Sequence, residues 1–309
     1  MSVLLSVNDL TRRFGDKTAV DGITFDIEQG RCIALLGPNG AGKTTTLSLL
    51  AGLLAPTKGT IRFASGAPRD IREWIGFLPQ HPAFFNWMSG REFLEFTGRL
   101  ARLPAREAKQ RAAELLEAIG LADAAKRAVG GYSGGMKQRL GIAQALIHRP
   151  KLLMLDEPVS ALDPVGRREV LELLRGMKRE TTLLFSTHVL HDAEEICDDI
   201  VLMQNGRIAV SGDLAGVRGR YRQPRIRIQS EQPLAEWAAE WEREPFIARA
   251  DWQGAGTLEL TVSPEEMERA RTFLCRDIAE RGIPVQSLEF GHSTLEDLFL
   301  RIVGEEGRP

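Results

Sequence analysis

Residues Arg31 to Leu50 read RCIALLGPNGAGKTTTLSLL. Cys32 to Leu36 is a short apolar run, the pattern of a buried strand. It breaks at Gly37-Pro38-Asn39-Gly40. Ala41-Gly42-Lys43-Thr44-Thr45 then opens a helical apolar pattern. The stretch is G-x-x-x-x-G-K-[ST] between a strand and a helix, the setting that this motif requires. Glycine lets the backbone curl so that successive N–H groups, from Gly37 through Asn39, Gly40, Ala41 and Gly42 to Thr45, point inward at a polyphosphate. The following helix adds the positive end of its dipole. Lys43 can reach the β- and γ-phosphates, and the Thr44 hydroxyl can ligate Mg²⁺. A purine nucleoside triphosphate, ATP or GTP, is the expected ligand.

A second constellation supplies the matching chemistry. Lys151-Leu152-Leu153-Met154-Leu155-Asp156-Glu157-Pro158 is an apolar strand ending in two carboxylates. A buried strand can hold Asp156 at its C-terminal tip beside the phosphate loop, where Mg²⁺ takes oxygen ligands. Glu157 comes directly after it and is placed to orient or deprotonate a water attacking the γ-phosphate.

The rest of the chain frames these segments. Val3 to Val7 and Gly22 to Ile27 read as strands flanking a turn at Phe14-Gly15-Asp16-Lys17, and Gly59 to Phe63 and Trp74 to Leu78 continue the strand pattern. From Ser89 the period changes to about 3.6, beginning with a capping box at Ser89-Gly90-Arg91-Glu92. Ala105 to Ile119 and a segment after Tyr132 are further helices, so residues of about 85–150 form a mainly helical insert. Strands at Leu152 to Leu155 and Thr182 to Ser186, with helices at Pro164 to Arg179 and Leu190 to Cys197, return to the α/β frame. Asn205-Gly206 between Ile200–Met203 and Arg207–Ser211 is a hairpin signal. The first domain is taken as 1–216 and a second as 217–309. Arg218 to Arg227 carries five arginines, read as a solvated linker and strand edge or as a basic surface for acidic headgroups or a partner. Beyond it strands at Arg225–Gln229, Thr257–Val262 and Val285–Phe290 alternate with helices at Pro233–Trp241 and Pro264–Arg281. A terminal helix is capped by Ser293-Thr294-Leu295-Glu296. Trp237, Trp241 and Trp252 read as core of this small α/β domain.

The 309 residues are 43% hydrophobic and 27% charged with a net charge of −2, which suits a globular protein with a real core and offers no basic field for nucleic acid. Cys32, Cys197 and Cys275 are far apart and lack metal-ligand spacing, so they are expected reduced and buried, in a cytosolic setting. No apolar run approaches the ~20 residues that span a bilayer, and Asp9 comes too early for a signal peptide. Any membrane role would need a separate membrane subunit.

Together these residues resemble the ATP-binding cassette (ABC) family. Tyr132-Ser133-Gly134-Gly135-Met136-Lys137-Gln138 resembles the family's signature sequence. A helix N-terminus there, with the Ser133 hydroxyl and the amides of Gly134 and Gly135, forms an anion site. The resemblance implies that it contacts the γ-phosphate held by an opposite subunit. Leu78-Pro79-Gln80 resembles the loop whose glutamine senses Mg²⁺ and the attacking water. Ser160-Ala161-Leu162-Asp163 resembles the loop that crosses the dimer interface. Ser186-Thr187-His188 resembles the switch whose histidine contacts the γ-phosphate, and Phe14 occupies the place of the aromatic that stacks on adenine. The implied fold is a P-loop NTPase cassette of α/β class with an antiparallel β subdomain and a helical insert, plus the small C-terminal α/β domain.

Met136 followed by Lys-Gln-Arg, and the ending His292-Ser293-Thr294-Leu295-Glu296-Asp297-Leu298-Phe299-Leu300, resemble cassettes that partner exporters. The reading is therefore an ATP-hydrolysing subunit, with ATP and Mg²⁺. It would lie peripherally on the cytoplasmic face of the membrane, against a multispanning permease and a second copy of itself or a paralogous cassette. Phe84, Phe85 and Trp87 are either the groove that receives the permease or packing within the insert. An importer subunit, or a soluble cassette ATPase acting on nucleic acid or the ribosome, are the alternatives; the net charge and the single copy weigh against nucleic acid.

Overall fold

Cys32–Leu36 is buried on both faces, as a central strand of a parallel sheet must be. In the computed structural model, which describes residues 2–304 apart from 161, 179, 222, 233, 253–255 and 293, the chain divides into two compact units, Met1–Leu214 and Ala215–Pro309.

The first unit opens with β1 (Val3–Phe14) and β2 (Lys17–Glu28), a hairpin turning at Gly15 and Asp16. Next come β3 (Cys32–Leu36), α1 (Lys43–Leu50), β4 (Lys58–Phe63) and β5 (Ile75–Leu78). The insert holds α2 (Gly90–Leu100), α3 (Ala105–Ala118) and α4 (Gly134–Leu146). The chain then re-enters the frame through β6 (Leu152–Asp156), α5 (Pro164–Met177), β7 (Thr182–Thr187) and α6 (Leu190–Ile196). A closing hairpin pairs β8 (Asp199–Gln204) with β9 (Arg207–Asp213). Asn205 and Gly206 both have positive φ, +48° and +79°, the pair of left-handed residues that a type I′ turn requires.

Two sheets result. One is antiparallel, in the order β2-β1-β4. The other runs β5-β6-β7-β3-β8-β9 and is parallel except for β9. The core lies where they meet: Leu5, Leu10, Ile23 and Ile27 of the first pack with Ile33, Leu35, Met154 and Leu184 of the second and with Leu47 and Leu50 of α1. In the insert both bonds of the Ser89/Glu92 capping box form, Glu92 N–H to Ser89 Oγ and Ser89 N–H to the Glu92 carboxylate.

The second unit begins within α7 (Leu214–Tyr221) and continues with β10 (Pro224–Gln229), α8 (Ala235–Trp241), β11 (Ile247–Trp252), β12 (Thr257–Val262), α9 (Met267–Arg281), β13 (Ser287–His292) and α10 (Leu295–Gly304). Its antiparallel sheet has the order β11-β12-β10-β13. With two crossing helices this is the β-α-β-β-α-β, ferredoxin-like arrangement. Ile226, Ile228, Leu258, Leu260 and Val262 form a core with Trp241, Ala270 and Leu274.

Several sequence expectations change here. Arg218 and Arg220 lie on helix α7 rather than in a linker. Strand β11 forms where the sequence pattern announces none, because Arg249 and Asp251 interrupt its apolar period. Trp241 is buried and Trp237 packs beside it, but Trp252, at the exposed end of β11, is 44% exposed. The cap of α10 uses Thr294 and Asp297, whose side chains bond each other's backbone N–H, one residue beyond Ser293 and Glu296; Ser293 lies outside the described residues, as do Ala161, Arg179 and Pro233. Cys275 is exposed rather than buried. Cys32 and Cys197, 165 residues apart in the chain, have their sulfurs 3.6 Å apart.

Candidate active site

The parallel register puts four strand ends on one edge. Leu36 of β3 lies beside Thr187 of β7, Asp156 of β6 beside Ser186, and Leu78 of β5 beside Leu155. The loops leaving these strands are therefore gathered outside the carboxyl edge of the sheet, where open α/β sheets place their ligands. Residues 37–42 leave β3, Gln80 lies just past β5, Glu157 just past β6 and His188 just past β7.

The loop after β3 is shaped by glycine. Gly42 caps α1 in the left-handed region at φ +102°, and a Cβ there would lie 2.5 Å from the Ala19 carbonyl oxygen. A Cβ on Gly37 would meet the Met203 carbonyl oxygen at 2.4 Å. Only glycine closes this loop so tightly. Asn39, Gly40 and Thr44 are exposed at the loop and the helix start, Ala41 is buried, and Thr45 is half-buried. Lys43 is buried, and its Nζ donates to the carbonyls of Gly37 (2.7 Å) and Pro38 (3.1 Å). Burial pulls the Lys43 ammonium below the usual lysine range, while the nearby charges of Glu157 and Asp156 oppose that shift.

Glu157 is the hub. Its carboxylate lies 3.8 Å from Lys43 Nζ and 3.3 Å from His188 Nδ1, and it accepts a bond from Gln80 Nε2 at 3.4 Å. Three groups, from the start of α1 and from just past β5 and β7, thus meet on one side chain. Asp156, buried beside it, accepts a hydrogen bond from Ser186 Oγ at 2.5 Å. A cavity of about 60 Å³ adjoins the cluster, walled by Glu157, His188, Thr187, Arg167 and Asp192. The set combines an amide-lined loop with a lysine for phosphate, oxygen donors for a hard cation, and a carboxylate beside an imidazole and a carboxamide for an attacking water.

Other residues singled out in the sequence lie elsewhere. Phe14, at the end of β1, is 45% exposed, with the Arg12 guanidinium 4.5 Å over its ring. Ser133 caps α4 by accepting the Met136 N–H, and Gly134 beside it is exposed. A Cβ on Gly135 would touch the Leu162 side chain at 3.9 Å. The described hydrogen bonds of Ser133 to Gly135 stay within their own helix end. Asp163 caps α5, its carboxylate accepting the Gly166 N–H at 2.8 Å. Phe84 packs edge-on against Phe93, and Phe85 against Phe96, while Trp87 is 75% exposed. The Ser186-Thr187-His188 motif gives a role to His188 alone: Ser186, a small polar residue ending an apolar run, has none assigned in the sequence, and only the β6–β7 register brings it to Asp156.

The family described as ABC transporter matches residues 20–160. An uncharacterized ABC transporter ATP-binding protein of Bacillus subtilis, YxlF, is 44% identical over 300 residues, covering 97% of this chain and 99% of its own. The daunorubicin resistance ATP-binding protein DrrA3 of Streptomyces coeruleorubidus is 35% identical, over 98% and 97% of the two chains. Among solved structures, cbiO1 of Clostridium perfringens, part of the ABC transporter complex cbiONQ, is 31% identical with a TM-score of 0.64, covering 70% of this chain and 91% of its own. With the phosphate loop, the paired carboxylates and the His188 strand end brought to one edge of the sheet, and relatives matched over nearly their whole length, the chain belongs to the ABC transporter ATP-binding proteins.

Proposed function

We propose that this chain is the ATP-hydrolysing subunit of an exporter, bound peripherally to the cytoplasmic face of the membrane through a separate permease. Family membership itself brings ATP binding and hydrolysis in company with a membrane partner and a second ATP-binding subunit. No helix among the described residues is long and apolar enough to cross a membrane. Export is supported by relatives named for resistance to daunorubicin and to linearmycin, since resistance is served by outward movement of a toxic compound. The exposed Phe85 and Trp87 are the surface we assign to the permease.

ATP lies along residues 37–45, with its adenine on Phe14 and its β- and γ-phosphates against Lys43 and the loop amides. Thr44 and Asp156, with Gln80, are the oxygen donors that fit Mg²⁺, which when bound neutralises charge on the β- and γ-phosphates. Glu157 orients the attacking water and takes up its proton, while His188 and Gln80 hold the γ-phosphate and that water in line. Ser133, Gly134 and Gly135 cap the γ-phosphate of a second subunit, a second copy of this chain or a paralogous cassette, with Asp163 at the crossing loop. The closed pair is then favoured by phosphate contacts that the open state lacks. Nucleic acid has no part in this scheme.

The observation that carries the reading is the convergence of Lys43, Gln80 and His188 on Glu157. Glu157→Gln tests it. Turnover should fall by about 100-fold or more while ATP binding persists and the protein elutes at twice the mass of one chain. A variant that still hydrolyses ATP at the wild-type rate removes Glu157 from this role.

A further inference from the structure

We propose that Ser186 is a positioning residue for hydrolysis, setting the directions of both Asp156 and Glu157 from the neighbouring strand. The inference deepens the reading of this same site and rests on it. Ser186 is fully buried on β7. Its hydroxyl donates to Asp156 Oδ1 at 2.5 Å and accepts the Glu157 N–H at 2.9 Å. One side chain thus touches both of the adjacent acidic residues, each at a different atom.

The backbone gives this clamp its purpose. Glu157 has φ +47°, a left-handed conformation sparsely populated by residues other than glycine and found where the surrounding structure holds it. That conformation turns the chain away from the line of β6, so that the Glu157 carboxylate reaches Lys43, Gln80 and His188. The bond from the Glu157 N–H to Ser186 Oγ anchors the peptide at this reversal. The bond to Asp156 Oδ1 commits one carboxylate oxygen to the protein and leaves Oδ2 as the one offered to the cation. Without the hydroxyl, the Glu157 N–H and a buried carboxylate oxygen of Asp156 both lose their partner, and both belong to residues whose orientation the reaction needs. Thr182, four residues earlier on the same strand, supplies a comparison. Its buried hydroxyl accepts the Gly30 N–H at 3.0 Å, away from the cluster.

The test uses the full chain and the variants Ser186→Ala, Ser186→Cys, Ser186→Thr and Thr182→Val. Four quantities are measured: kcat, KM for ATP, the Kd of ATP with and without Mg²⁺, and Tm. For S186A the expectation is a fall in kcat of about 10- to 100-fold, with the Mg²⁺-free Kd within about 2-fold of wild type and the gain in affinity on adding Mg²⁺ reduced. S186C, whose sulfur is a poor acceptor, should behave like S186A. S186T, which keeps the hydroxyl, should recover most of kcat. T182V should lower Tm and leave kcat unchanged.

The proposal is overturned if S186A keeps kcat within about 2-fold of wild type. It is equally overturned if affinity falls alike with and without Mg²⁺ and kcat tracks Tm across all four variants, as a purely structural serine would require. Should S186A not fold, S186C against S186T decides on the same criteria. A wild-type chain that hydrolyses ATP, with E157Q inactive, upholds the site whichever way Ser186 falls.

Discussion

Glu157 and Lys43 show how single residues here trade intrinsic preference for placement. Glu157 is held in a backbone region that glycine would enter more readily. Lys43 keeps an ammonium in a buried position where desolvation works against its charge. Both costs are met by neighbours from other strands, which is how a site is preorganised for an incoming phosphate. The cysteines show the same dependence on neighbours. Burial pushes the Cys197 thiol well above its ordinary pKa, and the adjacent Cys32 adds to the effect. Cys32 is itself buried, whereas Cys275 is exposed. Because the thiolate is the nucleophile, iodoacetamide at pH 8 should add a single group to the native protein, at Cys275, and three in urea; intact-mass and peptide analysis reads the result. A second adduct on the native chain would show that the β3–α6 seam opens to solvent.

At the scale of elements, α10 is tied to its sheet by charge, beside its buried Leu295 and Leu298. Arg225 of β10 meets Asp297 at 2.9 Å and Glu259 of β12 at 2.7 Å, and Arg227 joins Glu259 at 2.8 Å. Burial disfavours the charged Asp297 carboxylate, but hydrogen bonds from Thr294 and the Arg225 guanidinium outweigh it and hold its pKa below the ordinary range. The sign follows from linkage. A folded-state value below the unfolded one, about 3.9, stabilises the unit above that pH and loses the effect as pH falls through the lower folded value. Asp297→Asn should therefore cost roughly 1–2 kcal/mol at neutral pH and flatten the acid limb of the C-terminal unit's Tm below about pH 4. Thermal unfolding followed across that range checks both. A variant with the wild-type acid limb would assign the loss to other carboxylates.

For the whole molecule, two compact units with separate cores should unfold separately. Leu5, Ile33 and Leu47 anchor one core, and Ile226, Leu260 and Trp241 the other. Two-state behaviour belongs to single domains and fails for chains of this kind. Calorimetry should resolve two transitions. The residues assigned to ATP all lie in the first unit, so ATP at 100 times its Kd should stabilise that transition by about 2.7 kcal/mol and leave the second in place. A single transition that moves as one with ATP would mean that the units are thermodynamically coupled. In E157Q with ATP, Ser133→Glu should abolish the doubled mass while nucleotide binding by the single chain survives, because a carboxylate at that helix end repels the phosphate it would cap.

What the amino-acid sequence determined by itself was everything written contiguously. The phosphate loop of residues 37–45, the Asp156-Glu157 strand end, the Ser89 capping box and the Asn205-Gly206 turn each assemble within hydrogen-bond reach along the chain, so residue order alone encodes their geometry. The tertiary structure decided what depends on register between strands far apart in sequence. It set Ser186 against Asp156, brought Lys43, Gln80 and His188 to one carboxylate, and laid Cys197 beside Cys32. It also made strand β11 from a segment whose charges hid its period, because pairing with β12 supplies the hydrogen bonds that no local pattern announces. Parallel strands meet only through long crossovers, and no short window of sequence records which residues those crossovers bring face to face.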